Sequence, residues 1–125
     1  MKTKKVITKF AHESLFNADF LLVVCDWDVF LESTKNKITK EKFEILEKQV
    51  KEHGKDDWCL ATQFGMTGGG SVIWANPHAI IGTLVHEVTH AAHWLLKQRS
   101  VPLSEDTEEV YAYLQEFLFN ELVKK

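Results

Sequence analysis

"IGTLVHEVTHAAHWLLKQR", residues 81 to 99, decides how this chain is read. At 3.6 residues per turn, Ile81, Leu84, Val85, Val88, Ala92 and Leu95 fall on one face, while His86, His90, His93 and Lys97 fall on roughly the opposite one. One amphipathic helix is expected, with its histidine stripe turned away from the core. Pro77 stands before the stretch and Pro102 after it, which predicts a helix from His78 to Arg99.

Side chains four apart on a helix point the same way, so His86 and His90 can each present a ring nitrogen to one zinc ion at about 2.0 to 2.1 Å. Glu87 lies beside the pair and is available to take a proton from a water activated there. An isolated H-E-x-x-H match also arises by chance, and the bland alternative is the wet face of an ordinary helix. His93 is read as a supporting or plain surface residue, too far along the axis to join His90 on one ion.

A catalytic zinc site generally takes three protein ligands, so a further donor is needed. "SEDTEEVYAYLQEF" opens a second helix, expected from about Asp106 to Leu122, with Val110, Leu114, Phe117 and Leu118 on its apolar side. Glu105, Glu108 and Glu109 are the candidates there. Glu109 is chosen because Ala112, three residues on, allows close helix approach. Its structural alternative is a cap, since Asp106-x-x-Glu109 has the form of a helix N-terminal pair. Tyr111 and Tyr113 are possible oxyanion donors but are read first as packing residues.

Upstream, "WCLATQF" and "SVIWAN" read as two strands joined by "GMTGGG", a glycine-permitted hairpin with no phosphate-loop pattern. "KKVITKF" and "ADFLLVVCDW" predict strands at residues 4 to 10 and 19 to 25, the second central. From Thr39 to His53, Phe43, Leu46 and Val50 recur at helical spacing, with Gly54 as a stop. The order is that of an α+β fold.

With 125 residues the chain is expected to be one domain, residues 1 to 125. A formal charge of -3, from 15 basic and 18 acidic residues, gives no basic field, so no nucleic-acid partner is expected. "FLLVVC" is too short to span a bilayer and no targeting stretch is read, which predicts a cytoplasmic protein without a membrane partner. Cys25 and Cys59 are expected as two buried reduced thiols, and His12, His53 and His78 as surface residues without partners.

"HEVTH" followed by "EEVYA", with E-x-x-A at Glu109 to Ala112, resembles the gluzincin branch of zinc metallopeptidases. A closer likeness is to small phage and prophage proteins carrying "IGTLVHEVTHAAHWLL" and "EDTEEVYAYLQEFL", over about residues 70 to 120. The resemblance implies a minimal zincin-like fold, zinc on His86, His90 and Glu109, and Glu87 as base in peptide-bond hydrolysis. The substrate it implies is a peptide or protein, such as one of the phage or its host cell. Position 93 is His and position 96 is Leu, where the metzincin pattern has Gly and its third His. The cysteine motif of peptide deformylase is absent around Cys59.

A zincin-like arrangement would set "SVIWAN" beside the active helix, where, at a sheet edge, an extended peptide could pair with it. The loop from Gly65 to Gly70 would border the cleft and move as substrate enters. Two other readings stand beside the hydrolase: a non-catalytic, zinc-stabilised binding module, and a metal-free helical interaction protein in which Glu109 is only a cap.

Overall fold

The structure, a computed structural model, describes residues 6–34, 40, 41, 44, 47, 48 and 61–124. Its centre is a four-stranded mixed sheet in the order β1 (Ile7–Glu13), β2 (Ala18–Val24), β4 (Ser71–Ala75), β3 (Ala61–Gly65). β1 and β2 form an antiparallel hairpin, β2 and β4 run parallel, and β3 and β4 form the second antiparallel hairpin. With α1 (Trp27–Thr34), α2 (Ile81–Gln98) and α3 (Glu108–Leu118), the fold is α+β, as the sequence predicts.

Alternation along the strands divides the apolar residues between two faces. Ala11, Phe20, Leu22, Ile73 and Ala75 meet Val88, Ala91, Leu95 and Leu96 of α2 and Leu114 and Leu118 of α3. The opposite face carries Val23 and Trp74 against Phe30 of α1, with Trp27 edge-on to Trp74 at 4.7 Å between ring centroids. Leu95, Leu96, Leu114, Leu118 and Leu122 are wholly buried, and truncating any one to Ala should cost about 2–5 kcal/mol. The last turns, Phe119–Lys124, wind more loosely as a π-helix and still bury Leu122.

Several boundaries differ from the sequence reading. β1 runs past the predicted end at residue 10 to Glu13, because Ala11, His12 and Glu13 pair with Phe20, Asp19 and Ala18 of β2. α2 begins at Ile81 rather than His78. Asn76 explains the difference: its side chain accepts the His78 N–H at 2.9 Å and its carbonyl the Ala79 N–H at 2.9 Å, a turn that competes with helix. α2 ends one residue before Arg99, where Ser100 turns to φ 57 and the Val101 N–H returns to the Leu96 carbonyl at 2.8 Å.

β2 lies inside the sheet, as expected. β4 does too, which overturns the expectation that "SVIWAN" offers a free edge: β2 and β3 flank it, and β3 is the outer strand beside α2. The predicted hairpin between β3 and β4 is present, with Gly68 and Gly69 at φ 95 and 104. Lys40, Glu41, Glu44, Glu47 and Lys48 are helical, while Phe43, Leu46, Val50, His53 and Cys59 lie outside the described residues. Cys25 is a buried free thiol whose carbonyl accepts the Trp74 indole N–H at 2.9 Å.

Candidate metal centre

α2 carries the candidate residues, and its packing sets their directions. The buried arc is Glu87, Val88, Ala91, Ala92, Leu95 and Leu96. That arc is rotated from the expected one: Ile81 is 65% exposed because the first turn projects past the core. His86, His90 and His93 are exposed, as the helical period requires.

His86 and His90 meet through Nε2 atoms 3.1 Å apart, with the rings inclined at 76°. Two tetrahedral zinc ligands at about 2.0–2.1 Å lie about 3.3 Å apart, so the pair fits two positions on one ion. Without metal the same separation is a hydrogen bond, in which one neutral ring donates to the other. Partial burial, then the neighbouring His86 and His93, hold His90 below the usual histidine range, favouring the neutral form a ligand needs.

Glu87 is 8% exposed and lies against β3 rather than in solvent. Burial pushes its carboxyl group above the ordinary carboxylate range, against the pull of His86 and of the Gln63 backbone N–H bonded to it. A raised carboxyl beside two metal-capable imidazoles suits a general base.

Glu109 lies exposed in the first turn of α3. The register of the two helices is fixed by the Gln115 amide donating to Thr89 Oγ1 at 2.6 Å and by the His93 and Tyr111 rings, 4.9 Å between centroids. This sets Glu109 alongside Leu95, more than a turn beyond His90. The structure therefore brings His86 and His90 together and does not bring Glu109 to them. Among the described residues, no group of three His, Cys, Asp or Glu is arranged to hold a metal.

The capping pair of the alternative reading, Asp106–Glu109, does not form either. The helix starts two residues later, after Thr107, whose hydroxyl accepts the Ser104 N–H at 2.9 Å and makes no cap bond. Both tyrosine hydroxyls are engaged within the chain: Tyr111 donates to the Val101 carbonyl and Tyr113 to Glu13, each at 2.9 Å. His12, expected without a partner, pairs with Asp19 across the β1–β2 hairpin at 2.7 Å. His78 is exposed, as expected.

An open cleft of about 770 Å³ runs from His90 along α2 past His93, Trp94 and Lys97 to the 100–103 loop and Tyr111. Gln63 belongs to both features, lining the cleft and holding Glu87 through its N–H. Trp94 is fixed there by donating to the Met66 carbonyl at 3.0 Å. The loop from Gly65 to Gly70 is thus tied to α2, and Gly69 packs directly on Leu95 and Arg99. No helix among the described residues is long and apolar enough to cross a membrane. No family model, curated protein or solved structure matches the chain.

Proposed function

We propose that the chain is a zinc-dependent hydrolase of peptide bonds, with His86 and His90 as metal ligands, Glu109 as the third and Glu87 as general base. The observation that carries the reading is the 3.1 Å Nε2 pair on one exposed helical face, with a buried carboxylate adjacent in sequence. Bound zinc would polarise a carbonyl and make water a stronger acid at that pair. Glu87 accepts the proton of the attacking water, a role its upward-shifted affinity suits, and returns it to the leaving amine. Gln63 keeps Glu87 oriented through its N–H. The third ligand requires the start of α3 to move towards His90, since Glu109 lies beyond the pair along the helix axis.

Zinc per chain is measured by elemental analysis on the parent, His86→Ala and Glu87→Gln, alongside hydrolysis of a mixed peptide pool. One zinc in the parent, loss of zinc and hydrolysis in His86→Ala, and retained zinc without hydrolysis in Glu87→Gln are expected. A parent that takes up no zinc at neutral pH sinks the proposal. The separation of Glu109 from the pair favours one second reading, a metal-free helical interaction protein, which predicts no zinc in the parent and a melting temperature unchanged by chelation.

A further inference from the structure

The cleft beyond His90 has chemistry of its own. One wall is Trp94, held by its indole N–H to Met66, and another is Tyr111, held by its hydroxyl to Val101. Both aromatic surfaces are fixed before anything binds, which lowers the entropy cost of binding. Val101, Pro102 and Leu103 add apolar surface, and Leu103 is 60% exposed.

The polar character of the cleft has one sign. Lys97 is its cation, His90 and His93 contribute imidazoles, and among the described residues no aspartate or glutamate lines it. Lys97 meets no carboxylate among the described residues. Lys97 is exposed, so its attraction for an anion has the strength of a surface pair and weakens as salt is added. The cleft therefore complements a segment that pairs apolar bulk with a negative charge.

Position says where that charge should lie. Lys97 follows His90 by seven residues on one helix, a rise of about 10 Å. Extended peptide covers about 3.3–3.6 Å per residue, so a chain reaching from His90 to Lys97 needs about three residues. The cleft is open and Lys97 is exposed, which lets the chain continue past it and favours an acidic side chain over a chain terminus.

We infer that this cleft binds an extended peptide bearing an acidic side chain about three residues from the bond held at His90, with Lys97 reading the acid. The inference rests on the hydrolase reading for the location of that bond. Binding itself requires no zinc.

The test uses fluorescence anisotropy with fluorescein-Ala-Phe-Ala-Ala-Glu-Ala-amide, its Gln counterpart, and the Gln peptide with a free terminal carboxylate. Each is titrated with the full chain, before and after chelation. The Glu peptide should bind about fivefold tighter than the Gln amide, the scale of one ion pair, and less so at high salt. Lys97→Gln should remove that advantage and Lys97→Glu invert it, with binding of the Gln amide and the circular dichroism unchanged. Equal binding of the Glu and Gln amides, an advantage that survives Lys97→Gln, or tight binding of the free terminus alone overturns the inference. Zinc content reports separately on the metal site: acidic preference without zinc would sink the hydrolase, and zinc-dependent hydrolysis without acidic preference would sink only the subsite.

Discussion

Tyr113 donates to Glu13 Oε1 at 2.9 Å, joining side chains 100 positions apart. Glu13 is 1% exposed and also accepts the Leu15 and Phe16 backbone N–H groups at 2.9 and 2.7 Å. Burial raises the affinity of this carboxyl for protons, but those bonds outweigh it and hold Glu13 below the ordinary range. Tyr113→Phe leaves two donors in place and should cost about 1 kcal/mol in denaturant unfolding. Glu13→Ala leaves both backbone groups without their acceptor and should cost more, about 2–4 kcal/mol. Equal losses in the two variants would show that the phenol, and not the turn, is what Glu13 supports. Because the folded-state affinity is depressed, the stabilisation is present above the unfolded value of 4.5 and is lost as pH falls through the folded one.

Gly65 sets the position of Trp94. A Cβ there would fall within the indole, a rigid ring that cannot flex aside, so Gly65→Ala must displace Trp94 and strain its bond to Met66. A loss of about 1–3 kcal/mol is expected, the scale of overpacking. In a Trp94→Ala background the same substitution should be nearly neutral. A double-mutant cycle measures this coupling, and additive losses would mean that Gly65 acts through its backbone alone.

Glu87 and His90 give opposite pH limbs to the metal-free chain. Glu87 is shifted up, so its contribution is present below the unfolded value of 4.5 and is lost as pH rises through the folded one. Glu87→Gln should therefore gain stability relative to the parent with rising pH. His90 is shifted down, so its contribution is present above the unfolded value of 6.5 and is lost as pH falls through the folded one. His90→Gln should flatten that acid limb. Unfolding curves on chelated protein across the pH range check both, and parallel profiles for parent and variants would contradict the assignments.

The histidine pair was legible because a four-residue spacing on a helix fixes which side chains meet, whatever surrounds it. Burial of Glu87 was not, since it depends on how α2 wedges against β3, a contact between separate elements. Strand adjacency failed for a similar reason. β3 and β4 pair locally through a hairpin, but the parallel pairing of β4 with β2 is made across a long connection that leaves no local pattern. Asn76 carried a readable signal, because a side chain able to bond its own backbone two residues on is a turn former, and it stood directly before Pro77. Nothing around Tyr113 announced Glu13.

Glu109→Ala decides the third ligand. The residue is exposed and makes no cap bond, so metal-free stability should change by less than about 0.5 kcal/mol, the scale of a surface substitution near a helix start. As a ligand its loss should weaken zinc binding about a hundredfold or more, beyond the 10–100-fold range of residues that only support a ligand. His93→Ala serves as the control and should leave zinc affinity within that supporting range or unchanged, because its ring packs on Tyr111. Competition with a chromophoric chelator gives the dissociation constants. If Glu109→Ala retains zinc as tightly as the parent, the first turn of α3 has no part in the metal site. The acids there would then serve only the favourable charge at a helix N-terminus, leaving the third donor to be sought elsewhere in the chain.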